Sequence, residues 1–121
     1  MIALVVDDSM ALRLIHRRAL EQASWEVRTA GNGQEALEQL EAMGECDLVL
    51  TDWHMPVMDG IELVRRIRKH ARYAAVPVLM ITSEATLDAI DQAMSAGAND
   101  VLMKPYSAEA LAERVDEVAH E

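Results

Sequence analysis

The stretch VLTDWHMPVMDG, residues 49–60, begins as an apolar strand, places Asp52 at the end of that strand and then turns abruptly. A carboxylate at the edge of a hydrophobic core is costly to desolvate unless another group compensates its charge. The stretch therefore predicts a buried strand that ends at a polar site, where other parts of the chain supply the partners of Asp52.

Five short apolar runs predict the strands of a sheet. Each is rich in β-branched or aliphatic residues and is bounded by turn or polar residues. The runs are Ile2–Val6, Trp25–Thr29, Leu48–Thr51, Val76–Ile81 and Val101–Met103. Because the first, third and fourth are almost continuously hydrophobic, we expect a parallel sheet that is covered on both faces.

Helical patterns fill the gaps between these strands. Apolar residues recur at helical spacing, as at Leu87, Ile90 and Met94, and Gly44 and Gly97 are predicted helix stops. Strand and helix alternate five times, which predicts an α/β fold of the doubly wound (βα)5 type with right-handed crossovers. We expect residues 1–121 to form a single domain, with no output domain in this chain.

The first helix carries two apolar stripes, Leu12/Ile15/Ala19 and Met10/Leu14. Both stripes cannot face the sheet. One of them therefore either contacts a partner helix or is simply partly exposed, and the sequence leaves these interpretations equally open.

Two other local patterns have structural interpretations. Ser83 is predicted to cap the fourth helix, because it follows the fourth strand directly. The basic run of Arg65, Arg66, Arg68 and Lys69 is predicted to be the solvated face of the third helix. Neither pattern indicates chemistry by itself.

Composition and charge narrow the function. The chain is 51% hydrophobic and 26% charged, as in globular proteins, and its 11 basic and 21 acidic residues give a formal charge of −10. This charge argues against direct binding of nucleic acid and suits Mg²⁺ or a basic partner surface. The lone Cys46 predicts a reducing cytoplasmic location, and no apolar run is long enough to predict membrane insertion.

Polar residues follow four of the predicted strands at the point where each ends. In a parallel sheet, ligands bind outside these carboxyl ends. The residues are Asp7–Asp8 after the first strand, Asp52 after the third, Thr82–Ser83 after the fourth and Lys104–Pro105 after the fifth. We therefore expect three carboxylates, a hydroxyl and an amine to meet in one crevice.

This set of groups predicts a site for Mg²⁺ and a phosphoryl group. Clustered carboxylates repel one another unless they share a cation, and Mg²⁺ prefers one or two carboxylates together with phosphate oxygens. A carboxylate can itself accept a phosphoryl group, while a lysine and a metal stabilise the charge on the transferred oxygens.

Four motifs identify the chain as similar to the response-regulator receiver family. They are VVDD at 5–8, LVLTDWHMPVMDG at 48–60, PVLMITSEA at 77–85 and AGANDVLMKPYS at 96–107. Each motif alone is modest, but four in this order and spacing are specific and span nearly the whole chain. The resemblance implies a flavodoxin-like five-stranded sheet with strand order 2-1-3-4-5.

The resemblance also implies roles for individual residues. Asp52 would accept a phosphoryl group from the phosphohistidine of a histidine kinase or histidine phosphotransfer protein, or from a small phosphodonor. Asp8, Asp52 and the backbone carbonyl of His54 would bind Mg²⁺ directly, and Asp7 through water. Thr82 and Lys104 would contact phosphoryl oxygens, and the Lys104–Pro105 bond would be cis. Phosphorylation would switch the binding of a downstream target at the face formed by the fourth helix, fifth strand and fifth helix.

Two departures from the family pattern affect these expectations. Val101 occupies the position, three before the lysine, where an aromatic residue often swings inward on activation. His54 and Glu84 stand two residues beyond the acceptor and the threonine, where family side chains tune the phosphoryl lifetime. The switch with Val101 and the lifetime with this His–Glu combination are left open by the sequence.

Three other functions compete with the switch. A Mg²⁺-dependent phosphohydrolase commonly has a second acid two residues after its nucleophile, whereas this chain has His54 there. A degenerate receiver that only binds partners would not need all five functional positions, yet all five are occupied. The segment GNGQEA at 31–36 fits a dinucleotide fingerprint but follows the second strand rather than the first, so a turn and helix start explain it better.

Overall fold

The computed structural model describes residues 1–84 and 86–120, and strands and helices alternate along them. The strands are β1 (Ile2–Val6), β2 (Glu26–Ala30), β3 (Leu48–Asp52), β4 (Val78–Thr82) and β5 (Asp100–Met103). The helices are α1 (Met10–Gln22), α2 (Gly33–Met43), α3 (Gly60–Lys69), α4 (Leu87–Ala96) and α5 (Ala108–Ala119). The predicted order of elements is confirmed.

The strands form one parallel sheet in the order β2-β1-β3-β4-β5. This confirms the α/β prediction and the 2-1-3-4-5 order. The bounds of β1 are as predicted, and those of the other strands differ from the predicted ones by one or two residues. At β4 the strand begins at Val78 rather than Val76, because the Val76 N–H donates to the carbonyl of Tyr73 in a turn and Pro77 has no N–H to donate.

Each face of the sheet has its own hydrophobic layer. Along β1, Leu4 and Val6 pack into the layer under α2, α3 and α4, whereas Ala3 and Val5 pack into the layer under α1 and α5. Alternate residues of a strand point to opposite faces, so a strand buried on both sides must be continuously apolar. The sheet is covered on both faces, as its hydrophobic pattern predicts.

Side-chain caps define where the helices begin. The five capping side chains, each accepting a hydrogen bond from a backbone N–H of the first turn, are Ser9, Asn32, Asp59, Thr86 and Ser107. Asn32 explains the GNG segment as a turn and helix start. Ser83 does not cap α4; that prediction was wrong, because the helix begins only at Leu87, directly after the Thr86 cap.

The residues that α4 buries against the sheet are small. Ala89 and Ala93 are buried, whereas Leu87 is 84% exposed and Met94 is 44% exposed. Alanines allow a helix to pack closely on a sheet, and the larger apolar residues then lie on the opposite side. The stripe of Leu87, Ile90 and Met94 therefore lies on the outer side of α4.

Helix α1 also presents apolar residues on its outer side. It buries His16 and Leu20, while Met10, Leu14 and Ile15 are exposed. Ile15 thus belongs with Met10 and Leu14 rather than with the stripe that the sequence assigned to it. The polar His16 takes an inward position that periodicity alone would give to an apolar residue.

The sequence predicts a solvated basic face on α3, but Arg68 does not lie on that face. Its guanidinium lies on the side of α3 nearest the end of α4 and donates four hydrogen bonds of 2.6–3.1 Å. The acceptors are the carbonyls of Ala74, Val76 and Gly97 and the side-chain oxygen of Asn99. Arg68 therefore ties together two connections, α3–β4 and α4–β5, which a local charge pattern cannot reveal.

All helices of the described residues are short. The longest, α1, has 13 residues, whereas a bilayer span needs about 20. Within residues 1–84 and 86–120, no helix combines the length and apolar character that crossing a membrane requires.

Candidate functional site

The site lies at the edge of the sheet where β1, β3, β4 and β5 end. The register aligns Val6 with Thr51, so Asp7 follows β1 beside the end of β3, at Asp52. Thr82, the last residue of β4, is aligned with Met103 of β5, and Lys104 follows directly. The parallel register therefore brings together the groups that the sequence places at four separate strand ends.

The three carboxylates converge. Asp7, Asp8 and Asp52 each offer an oxygen atom within 4.8 Å of the others. Asp7 is 1% exposed, Asp52 is half-buried and Asp8 is exposed. Three acids this close need a shared positive charge to offset their mutual repulsion.

Asp7 has the most demanding environment of the three. Its Oδ1 accepts a hydrogen bond from the Ser9 N–H at 2.9 Å, but its buried Oδ2 has no hydrogen-bond partner among the described residues. Burial raises the pKa of Asp7, and the charges of Asp52 and Asp8 raise it further, against the opposing effects of the Ser9 N–H and Lys104. A cation bound beside Oδ2 would give that oxygen a partner and would favour the ionised form of the Asp7 carboxylate.

Lys104 reaches the same carboxylate cluster from β5. Its Nζ donates to Asp52 Oδ1 at 3.2 Å, while its backbone N–H donates to the carbonyl of Thr82 at 2.8 Å. The Lys104–Pro105 bond is cis. Thr82 is buried, and its hydroxyl accepts from the Glu84 N–H at 3.0 Å, which leaves the hydroxyl hydrogen available to another acceptor.

The loop after β3 holds the Asp52 backbone close to α3. The Gly60 N–H donates to the Trp53 carbonyl at 2.7 Å, and a Cβ added at Gly60 would lie 2.5 Å from the Asp52 carbonyl oxygen. Only glycine permits this approach. In the same loop Val57 is exposed and has φ of 70°, a left-handed conformation that is strained for a β-branched residue.

His54 and Glu84 join the two loops that follow Asp52 and Thr82. His54 Nε2 and Glu84 Oε1 lie 2.6 Å apart, and the His54 ring stacks on Trp53 with centroids 5.6 Å apart. The sequence singled out both positions but could not show that their side chains contact each other. Their bond ties together two loops that flank the carboxylates.

One further contact beside the site could not be predicted from the sequence. Buried His16 of α1 is hydrogen-bonded to the hydroxyl of Tyr106, two residues beyond Lys104. The only available signal was a histidine at an inward position of an otherwise apolar helix face. Such a residue is predicted to have a polar partner but does not reveal which one.

A surface groove with a volume of about 640 Å³ lies elsewhere, between α2 and α3. Four of the side chains that line it form two pairs, His70 with Glu41 and Arg66 with Glu62. The groove therefore lacks the concentrated charge and the unsatisfied buried oxygen that distinguish the carboxylate site.

A parallel five-stranded sheet of this order, with acids, a threonine and a lysine at its strand ends, has the organisation of a receiver domain. The sequence profile of the response regulator receiver domain matches residues 3–116, and the chain belongs to this family. It is a CheY-like module of two-component signal transduction.

Individual relatives agree with this assignment. The chain is 37% identical to the chemotaxis protein CheY1 of Helicobacter pylori over 116 residues, which cover 95% of this chain and 94% of that protein. It is 38% identical to the chemotaxis protein CheY of Pseudomonas aeruginosa, with 95% and 93% of the two chains covered.

Solved structures are similar over the same length. The chemotaxis protein CheY4 of Vibrio cholerae has a TM-score of 0.91 at 34% identity, with 97% of each chain covered. The receiver domain of the sensor histidine kinase PA1611 of Pseudomonas aeruginosa has a TM-score of 0.89 at 25% identity, with 99% and 98% covered. That receiver domain has a magnesium ion coordinated in its active-site cleft.

The environment of Asp7 generates a first prediction. Asp7→Asn is expected to raise the free energy of unfolding of the metal-free protein by about 1 kcal/mol, because it removes a buried charge that neighbouring carboxylates repel. The same change should abolish stabilisation by Mg²⁺, which for the wild type is about 2.7 kcal/mol when free Mg²⁺ is 100 times its Kd. Urea unfolding with and without Mg²⁺ measures both quantities.

The exposed Asp88, in the first turn of α4, offers a matched control. Asp88→Asn should leave the response to Mg²⁺ unchanged. An Asp7→Asn protein that keeps the wild-type response to Mg²⁺ would contradict the assignment of Asp7 to the metal site.

Proposed function

We propose that this chain is a phosphorylation-dependent switch in which Asp52 accepts a phosphoryl group. The observation that carries the proposal is the Lys104 ammonium 3.2 Å from Asp52, beside two further carboxylates. An ordinary surface ion pair would not need two additional acids within 4.8 Å. The arrangement suits an acceptor oxygen flanked by a metal site and a fixed positive charge.

In the transfer step an Asp52 oxygen attacks phosphorus as the bond between phosphorus and the donor breaks. The donor is the phosphohistidine of a histidine kinase or phosphotransfer protein, or a small acyl phosphate, and its leaving group departs with the bonding electrons. Asp7, Asp8, Asp52 and the His54 carbonyl would hold Mg²⁺, which would neutralise charge on the phosphoryl oxygens. Lys104 then contacts one phosphoryl oxygen and the Thr82 hydroxyl donates to another.

The chain is proposed to be a phosphoacceptor rather than a dedicated enzyme. Its product is its own acyl phosphate, and turnover of a phosphoester would require a further acid or base close to the acceptor. The side chain two residues after Asp52 is His54, and it is bound to Glu84. We therefore expect slow loss of the phosphoryl group to water instead of rapid turnover of substrate.

Two exposed apolar surfaces fit the partners of such a switch. The outer side of α1, with Met10, Leu14 and Ile15, begins directly after the Asp7–Asp8 pair and suits the histidine-bearing phosphodonor. The face of α4, β5 and α5 carries exposed Leu87 and suits a downstream target. Both partners are proposed to meet the chain in the reducing cytoplasm that its lone cysteine predicts.

Transfer to Asp52 is tested by intact mass. Incubation with acetyl phosphate and Mg²⁺ is expected to add one phosphoryl group to the wild type, and none to Asp52→Asn or to wild type treated with a chelator. The exposed Asp91 of α4 supplies the control, because Asp91→Asn should be labelled like the wild type. Failure to label the wild type at any time, while beryllofluoride also fails to bind, would favour a receiver that acts only as a binding module.

The His54–Glu84 bond generates a prediction about lifetime. His54→Ala is expected to hasten loss of the phosphoryl group roughly fivefold, equivalent to about 1 kcal/mol of barrier, because it unties the two loops that limit access of water. Decay of the phosphorylated mass after removal of donor measures the rate. His120→Ala is the matched control, since His120 is 60% exposed and pairs with Asp116, much as the 61% exposed His54 pairs with Glu84. Equal decay in the two variants would contradict the role of the bond.

The proposed output face is tested by amide NMR. Beryllofluoride and Mg²⁺ should shift resonances in α4, β5 and α5 as well as in the site loops, because a charge change at Asp52 biases a two-state element. The Asp52→Asn protein should show no such shifts. Shifts confined to the loops around Asp52 and Thr82 would mean that this face is not the output surface.

A further inference from the structure

His16 and Tyr106 form a polar pair beside an apolar layer, with His16 buried and Tyr106 partly buried. His16 is 2% exposed, its Nε2 is hydrogen-bonded to the Tyr106 hydroxyl, and the two rings stack with centroids 5.8 Å apart. Tyr106 also packs against the hydrophobic layer that α1 and α5 form with the sheet. Two apolar side chains of similar shape could fill this space without any hydrogen-bonding requirement, so the polar pair calls for a reason beyond packing.

The bond joins two neutral groups. Burial and the nearby Lys104 ammonium lower the pKa of His16, so the imidazole stays uncharged. Burial, together with Asp7 and Asp52, raises the pKa of Tyr106 to about 12. In a neutral imidazole one nitrogen donates and the other accepts, so the tautomer of His16 decides whether the tyrosine hydroxyl donates or accepts.

The pair is connected to the acceptor site through a very short segment. Tyr106 is two residues beyond Lys104, whose own N–H is bound to the Thr82 carbonyl of β4. The segment 104–106 is thus attached to the sheet at one end and to α1 at the other. The Lys104 side chain extends from this segment to Asp52.

We propose that His16 and Tyr106 are positioning residues whose hydrogen bond fixes segment 104–106 against α1 and so keeps the Lys104 ammonium on the Asp52 carboxylate. The role of the pair in phosphorylation rests on the proposed function of Asp52. The placement of Lys104 by the pair does not, and it can be measured separately.

The second tyrosine of the chain provides a matched control. Tyr73 is buried, whereas Tyr106 is partly buried, and the Tyr73 hydroxyl donates to the Leu40 carbonyl in the layer on the opposite face of the sheet. Tyr73→Phe and Tyr106→Phe each remove one hydrogen-bonded hydroxyl and should lower stability by similar amounts. Only Tyr106→Phe should affect Lys104.

The first measurement is the rate of Asp52 phosphorylation by acetyl phosphate at saturating Mg²⁺. Tyr106→Phe is expected to slow it about tenfold, less than the roughly hundredfold that a misplacement of about 1 Å can cost. Tyr73→Phe should retain the wild-type rate. Mg²⁺ binding, measured calorimetrically, should not be weakened in either variant, because the carboxylates bind the metal and Lys104 does not.

A double variant separates positioning from stability. His16→Val combined with Tyr106→Phe replaces the pair by two apolar side chains and should recover stability while phosphorylation stays slow. Recovery of the wild-type rate in this double variant would overturn the proposal. So would a wild-type rate in Tyr106→Phe, or equal losses in Tyr106→Phe and Tyr73→Phe.

NMR of the Lys104 ε-methylene group distinguishes this proposal from the proposed function. In the wild-type background its resonance should respond to Asp52→Asn, because Nζ lies 3.2 Å from that carboxylate. The shift of this resonance on Asp52→Asn should be smaller in the Tyr106→Phe background. In the Tyr73→Phe background it should be as large as in the wild type. Equal responses in all three backgrounds would overturn the positioning role even if Asp52 accepts phosphate. A wild type that takes no phosphoryl group would refute the proposed function alone.

Discussion

Repulsion among three carboxylates at one edge of the sheet is the constraint on which the rest of the site depends. The parallel register brings Asp7, Asp8 and Asp52 together, and nothing within the described part of the chain satisfies the buried Asp7 Oδ2. Lys104 offsets part of the repulsion through Asp52. In the metal-free protein this repulsion lowers the free energy of unfolding, and burial in the hydrophobic core must outweigh it. A cation that relieves the repulsion is bound more tightly as a result.

The sequence predicts the sheet and the carboxylate site well because both follow from short-range rules. Buried strands are continuously apolar, and the residues that follow them necessarily meet at one edge. The failures concern contacts between distant segments. Arg68 lies in a basic run yet binds carbonyls beyond α3 and α4, and His16 lies on an apolar stripe yet binds Tyr106. Periodicity identifies the side of a helix on which a residue lies but not the neighbour it meets there.

The helices are attached to the sheet with unequal strength. Helix α3 buries Ile61, Leu63, Val64 and Ile67, whereas α4 buries only Ala89 and Ala93. Hydrophobic stabilisation scales with buried apolar area, so displacing α4 costs far less than displacing α3. An element held so weakly, with large apolar residues on its outer side, is well suited to change position when a charge changes at Asp52. Val101 beneath it is buried and small, which favours a modest shift in packing over the swing of an aromatic ring.

Trp53, on which His54 stacks, is an intrinsic chromophore beside the carboxylate site. Trp53 directly follows Asp52 and is buried, and the only other indole, Trp25, lies between α1 and β2. With no phenylalanine and two tyrosines, the near-ultraviolet absorption and emission of this protein come mainly from these two indoles. One of the two chromophores therefore lies directly after Asp52, the proposed acceptor. A change of charge at that carboxylate is therefore expected to alter the protein's own fluorescence, with no label attached.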